Sequence, residues 1–150
     1  MKSLIISILF MLFYQLSYAG SYIELYPKAP ESRLFGPIEV VTCTDGDVVG
    51  TDCGDQYSMY GSMIEIANGT ITLPTAYEGM WACVKSTSAS VIYIDVQAAD
   101  AWNLDGTTLS AGNKLASPGL DDDTVCFYSN ADNYWTTVHN PDSFIDGGGS

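Results

Sequence analysis

The sequence predicts an all-β protein: an antiparallel β-sandwich-like domain preceded by an extended N-terminal arm. Three observations carry this. From Ile38 onward, short runs of β-branched and aromatic residues recur, separated by Gly, Asp, Asn and Pro. Two of the gaps between runs are Asn68-Gly69 and Asp105-Gly106, pairs that tolerate the positive φ of a two-residue hairpin turn. No stretch of helical length carries an apolar stripe at 3.6-residue spacing, and Pro74–Met80 offers one turn of helix at most.

Taken in order, the chain opens on Lys2, then an apolar run from Leu4 to Leu16, then Ser17-Tyr18-Ala19 ahead of Gly20. Small residues at the first and third of these positions complete the pattern of a secretory signal peptide, residues 1–19. The run is short for a membrane span, and no later stretch is apolar enough to serve as an anchor. Residues 20–37 carry Pro27, Pro30 and Pro37 and read as an extended arm. Within it, Tyr22, Ile23, Leu25 and Tyr26 belong to one short strand with no hairpin partner before Ile38. The domain spans residues 38–145. Its expected strands are Ile38–Cys43, Ser62–Ala67, Thr70–Leu73, Trp81–Ser86, Val91–Val96, Ala101–Leu104, Thr107–Leu109, Thr124–Ser129 and Tyr134–Val138. Asn68-Gly69 and Asp105-Gly106 each close a hairpin in this reading. No repeat long enough to suggest a solenoid stands out. Residues 146–150 read as a flexible tail.

Composition narrows the function. The chain has 18 acidic and 5 basic residues, a formal net charge of −13, and loss of Lys2 with the signal makes the mature chain more acidic still. Such a surface repels phosphate backbones, which argues against nucleic acid as a partner. Charged residues make up 15% and aromatics 12%, so this is a folded domain and not a disordered acidic tail. Cys43, Cys53, Cys83 and Cys126 form an even set in an exported chain, which reads as two disulfides with three possible pairings. No C-x-x-C spacing is present to suggest zinc or dithiol redox chemistry.

Candidate sites are few. Asp45-Gly46-Asp47-Val48-Val49-Gly50 begins like a calcium-binding EF-hand loop, but Val49 replaces the fifth-position ligand and Gln56 stands where a bidentate Glu belongs. Asp121-Asp122-Asp123 is a second carboxylate cluster. Asp45, Asp47, Asp121 and Asp123 are the candidate calcium ligands, weighed against acidic solvated turns; no other cofactor is indicated. His139 is the single histidine, with Asp142 near it in a turn-forming stretch. Without a Gly-x-Ser-x-Gly elbow it reads as a surface residue, and the chain as a non-enzyme. Asn68-Gly69-Thr70 is formally a glycosylation sequon. Trp81, Trp102 and Trp135 are either a sugar-stacking platform or, the better reading, core.

Thr70-Ile71-Thr72-Leu73-Pro74, Glu78-Gly79-Met80, Leu104-Asp105-Gly106-Thr107-Thr108-Leu109-Ser110-Ala111-Gly112-Asn113-Lys114-Leu115, Ser117-Pro118-Gly119, Asp123-Thr124-Val125 and Tyr134-Trp135 follow one another in a set order. In that order, Thr70–Val138 resembles a domain common in bacteriophage tail-fibre and virion structural proteins and in related exported bacterial proteins. The resemblance implies a β-rich, non-enzymatic module used in assembly or surface attachment. It also places Trp81–Ser86 beside Thr124–Ser129, two apolar core strands that an expected Cys83–Cys126 disulfide joins; Cys43–Cys53 is expected to close a short Asp/Gly-rich loop between strand ends. The expected function is an exported structural subunit that self-assembles with copies of itself into an extracellular filament or surface layer. The alternative is an extracellular module that binds carbohydrate or another surface ligand.

Overall fold

The computed structural model describes residues 38–131 and 133–149. The expected signal peptide and the arm with Tyr22, Ile23, Leu25 and Tyr26 lie outside the described residues. Within them the chain is all-β, with eleven strands and no helix. In chain order these are β1 (Val40–Cys43), β2 (Tyr60–Ile66), β3 (Gly69–Thr72), β4 (Trp81–Ser86), β5 (Ile92–Asp95), β6 (Ala101–Leu104), β7 (Thr107–Thr108), β8 (Asn113–Ala116), β9 (Thr124–Ala131), β10 (Tyr134–His139) and β11 (Ile145–Gly149). They form a seven-stranded sheet, β1-β2-β4-β9-β10-β6-β7, and a four-stranded sheet, β11-β8-β5-β3.

The sheets are mixed, which corrects the antiparallel expectation. β1, β2 and β4 run parallel to one another, as do β3 and β5, and β10 runs parallel to β6. The cause is the connection at Asn68-Gly69. Instead of closing a hairpin, it carries the chain from β2 in the first sheet to β3 in the second. The link from β4 to β5 makes the same crossing. The chain from β1 does so too, since Val48 bridges Thr72 in parallel. Three such arches stack in register, roughly 20 residues apart. This is a short solenoid-like stack that no repetition of residue identity announces.

Two contacts fix the middle arch. Asp45, from the arch before it, accepts the Thr70 N–H through Oδ1 at 2.8 Å, and Gly46 donates its N–H to the Thr70 carbonyl at 2.8 Å. Gly69 adopts φ 85°, and a Cβ there would run into the Asp45 carboxylate. A side chain at position 69 is therefore excluded twice, by backbone conformation and by the packed carboxylate.

Alternation along each strand puts one set of residues inward. In the first sheet Val41, Ile64, Val84 and Val125 stand side by side across β1, β2, β4 and β9. In the second sheet Ile71, Ile94 and Leu115 do the same. All belong to one buried cluster. Its aromatic end is Trp102, Phe127 and Trp135, with Phe127 edge-on to each indole at centroid distances of 5.2 and 5.5 Å. Burying such rings contributes most of the stabilisation a small domain can gather.

Asp105-Gly106 does close the expected hairpin: β6 pairs antiparallel with β7, and the turn residues have φ 49° and 89°. The chain end departs from expectation. Ile145–Gly149 is a strand, not a tail; it pairs with β8, and the Asn113 amide donates to both Asp146 carboxylate oxygens at 3.0 and 3.1 Å.

Candidate functional site

Both disulfides pair as expected, Cys43–Cys53 and Cys83–Cys126. They sit differently. Cys43 and Cys53 are buried and pin the Asp/Gly-rich loop to β1. Cys83 and Cys126 lie directly opposite each other on β4 and β9, half-buried on the outward face of the first sheet. They staple the stack of arches to the antiparallel half. This bond is thus a surface clamp rather than a core contact. Two disulfides belong to an oxidising, extracellular type of environment. Among the described residues no helix is long and apolar enough to cross a membrane.

The candidate calcium ligands do not converge. Asp47 accepts the Thr44 N–H and hydroxyl at 2.7 and 3.1 Å, while Asp45 is held by Thr70. Asp123 is buried and accepts the Gly119 and Leu120 N–H groups at 2.9 and 2.7 Å; Asp121 accepts from Asp122 N–H at 3.1 Å. These carboxylates act as turn caps, each accepting from nearby backbone N–H groups. Asp122 pairs with Lys85 at 2.7 Å, a contact that raises the lysine's pKa. Among the described residues, only Cys43, Asp47 and Cys53 bring three potential metal ligands together, and there the two sulfurs are bonded to each other. A disulfide offers no thiolate to a metal.

His139 is exposed at the end of β10, and the Asp142 carboxylate accepts the Thr124 N–H at 2.7 Å. The two are not joined by a hydrogen bond. One buried acid stands apart. Asp100 has no exposed surface, and its Oδ2 accepts the Ala76 N–H at 2.8 Å. Its Oδ1, Asn103 Oδ1 and the indole nitrogens of Trp102 and Trp135 are buried without a well-formed hydrogen bond. Burial raises the Asp100 carboxyl above its ordinary range, opposed by the Ala76 N–H and the Trp135 indole.

The tryptophans divide. Trp102 and Trp135 are core, with no exposed surface, whereas Trp81 is 49% exposed on the outward face. Residue parity already separates them: Trp81 shares its face with Cys83 and Lys85, opposite to Ala82 and Val84.

The remaining feature is an open edge. β1 ends the first sheet, and among the described residues no strand pairs with its outer side. Glu39 contributes its carbonyl to β2, accepting from Met63 N–H at 2.8 Å. Backbone groups alternate sides along a strand, so the amides of Val40 and Thr42 point away from the sheet. Ile38 and Val40, 65% and 58% exposed, flank this edge. No known family matches the chain, and neither does any curated protein or solved structure.

Proposed function

We propose that this chain is an exported, non-catalytic structural subunit whose copies join outside the cell through the open edge of β1. Two sheets layered like a sandwich, with one disulfide across β4 and β9 and another pinning the Asp/Gly-rich loop to β1, make a rigid building block. The observation that carries the reading is the unpaired parallel edge at β1 with Ile38 and Val40 exposed beside it. The uncapped end of a stack of arches is a template for another strand. Residues 20–37 immediately precede this edge in the sequence, and Tyr22, Ile23, Leu25 and Tyr26 within them have the composition expected of a strand that needs a ladder. Addition of that strand to the β1 edge of the next copy is a head-to-tail contact, which propagates as a filament unless it closes into a ring.

Thr42→Pro tests it. The substitution removes an amide that faces away from β2, leaving the β1–β2 ladder in place. The variant should fold with both disulfides formed and remain monomeric by light scattering. Assembly equal to that of the parent would show that copies do not join along β1.

A further inference from the structure

We infer that the outward face of the first sheet carries a binding site for neutral carbohydrate centred on Trp81. The site is built by the backbone beneath it. The pairing of β2 with β4 slips between Tyr60 and Ser62, a bulge at Gly61, which takes φ 98°. A Cβ at Gly61 would lie 2.7 Å from Cζ2 of Trp81 and 3.2 Å from both Cε2 and Cη2. The indole is therefore pressed onto bare backbone, and only glycine leaves room for it. Bulges of this kind re-aim side chains beside functional sites. One side of the ring rests on the sheet while Trp81 stays 49% exposed, in contrast to the fully buried Trp102 and Trp135.

The plate has an aromatic neighbour in register. Tyr128 on β9 stands directly opposite Trp81 and shares its outward face, while Tyr60, next to Gly61 on β2, turns inward against the core. Tyr134, 45% exposed, extends the row's surroundings on β10, where Thr136 faces Tyr128. Flat aromatic surface takes up the C–H faces of a sugar ring, and hydroxyl groups at its rim meet the sugar's own hydroxyls. Tyrosine rims supply both.

Charge selects among occupants. The chain's net charge of −13 opposes acidic polymers, and the row Trp81–Tyr128–Thr136 contains no ionised side chain with which to draw a cation. The Glu65–Lys85 pair of positions lies further along β2 and β4, on the same face. An uncharged, hydroxyl-rich ligand fits this combination better than a peptide segment, which would need strand-edge donors and acceptors that mid-sheet strands have already used. The inference is independent of assembly through β1.

The test is surface plasmon resonance of the mature chain over immobilised β-1,4-glucan, β-1,3-glucan, mannan and chitin oligosaccharides, with dextran sulfate as the charged comparison. At least one neutral glycan should bind and dextran sulfate should not. Trp81→Ala should weaken that binding about tenfold or more, the scale of losing one aromatic anchor, and Trp81→Phe should recover part of it. Trp81 is at the surface, so near-ultraviolet circular dichroism of the variants should retain the signal of the buried Trp102–Phe127–Trp135 cluster. The inference is overturned if none of the four glycans binds, if dextran sulfate binds as well as they do, or if Trp81→Ala binds as the parent does. It is equally overturned if Trp81→Ala abolishes self-association while glycan binding persists, which would make this face an interface between copies.

Discussion

The crossing at Asn68-Gly69 sets the topology, and a double-mutant cycle between Asp45 and Gly69 measures it. Gly69→Ala forces a Cβ into a residue at φ 85°, which costs about 1 kcal/mol. The same Cβ displaces the Asp45 carboxylate, so the 2.8 Å bond to Thr70 N–H is lost as well, for about 1 kcal/mol more at this exposed position. The single variant should therefore lose about 2 kcal/mol. Asp45→Ala alone removes only the bond, about 1 kcal/mol. With that bond already gone, adding Gly69→Ala costs only the backbone strain, so the two losses fall short of adding by about 1 kcal/mol. Urea titration followed by tryptophan fluorescence resolves a coupling of this size. In a hairpin linking β2 to β3 within one sheet, Gly69 would still be strained by alanine, but Asp45 would not notice. Additive losses would refute the arch.

Two other outcomes follow from the same structure. Replacing Cys83 and Cys126 together by alanine should cost about 4 kcal/mol, against about 3 for Cys43 with Cys53, because the loops closed span 43 and 10 residues. Denaturant midpoints of the two double variants check the order. Asp100 gives a pH signature: its native pKa lies above the ordinary 3.8, so the stability it contributes is full below that value and falls as pH rises through the native pKa. The melting temperature of Asp100→Asn should lack that decline relative to the parent, and parallel curves for the two proteins would contradict the assignment.

Strand positions were legible because β-branched and aromatic runs such as Ile92–Asp95 favour a pleated, half-buried surface whatever their partners. Partner choice was not. Ile64 and Ile66 face inward in β2 and Ile71 does so in β3, a pattern that a hairpin and an arch satisfy equally. Only the long-range contact between Asp45 and Gly69 separates them. β8 and β11 were missed for a simpler reason: Asn-Lys-Leu-Ala and Ile-Asp-Gly-Gly-Gly lack strand propensity, and β8 is held by β11 and β5 while β11 is held by β8. The acidic turns are a similar case. Spacing alone does not distinguish a carboxylate that awaits a cation from one that accepts a nearby N–H, as Asp47 and Asp123 do. The exposed Trp81 was readable from parity along its strand, but the glycine that seats it was not, since Gly61 reaches it only through the parallel pairing of β2 with β4.

The most direct test of assembly through β1 compares the solution mass of the mature chain with that of a chain beginning at Ile38, by light scattering under identical conditions. The account predicts large particles for the first, and a folded monomer with both disulfides for the second. Particles of the same size from both would contradict it, since residues 20–37 would then not be what joins one copy to the next.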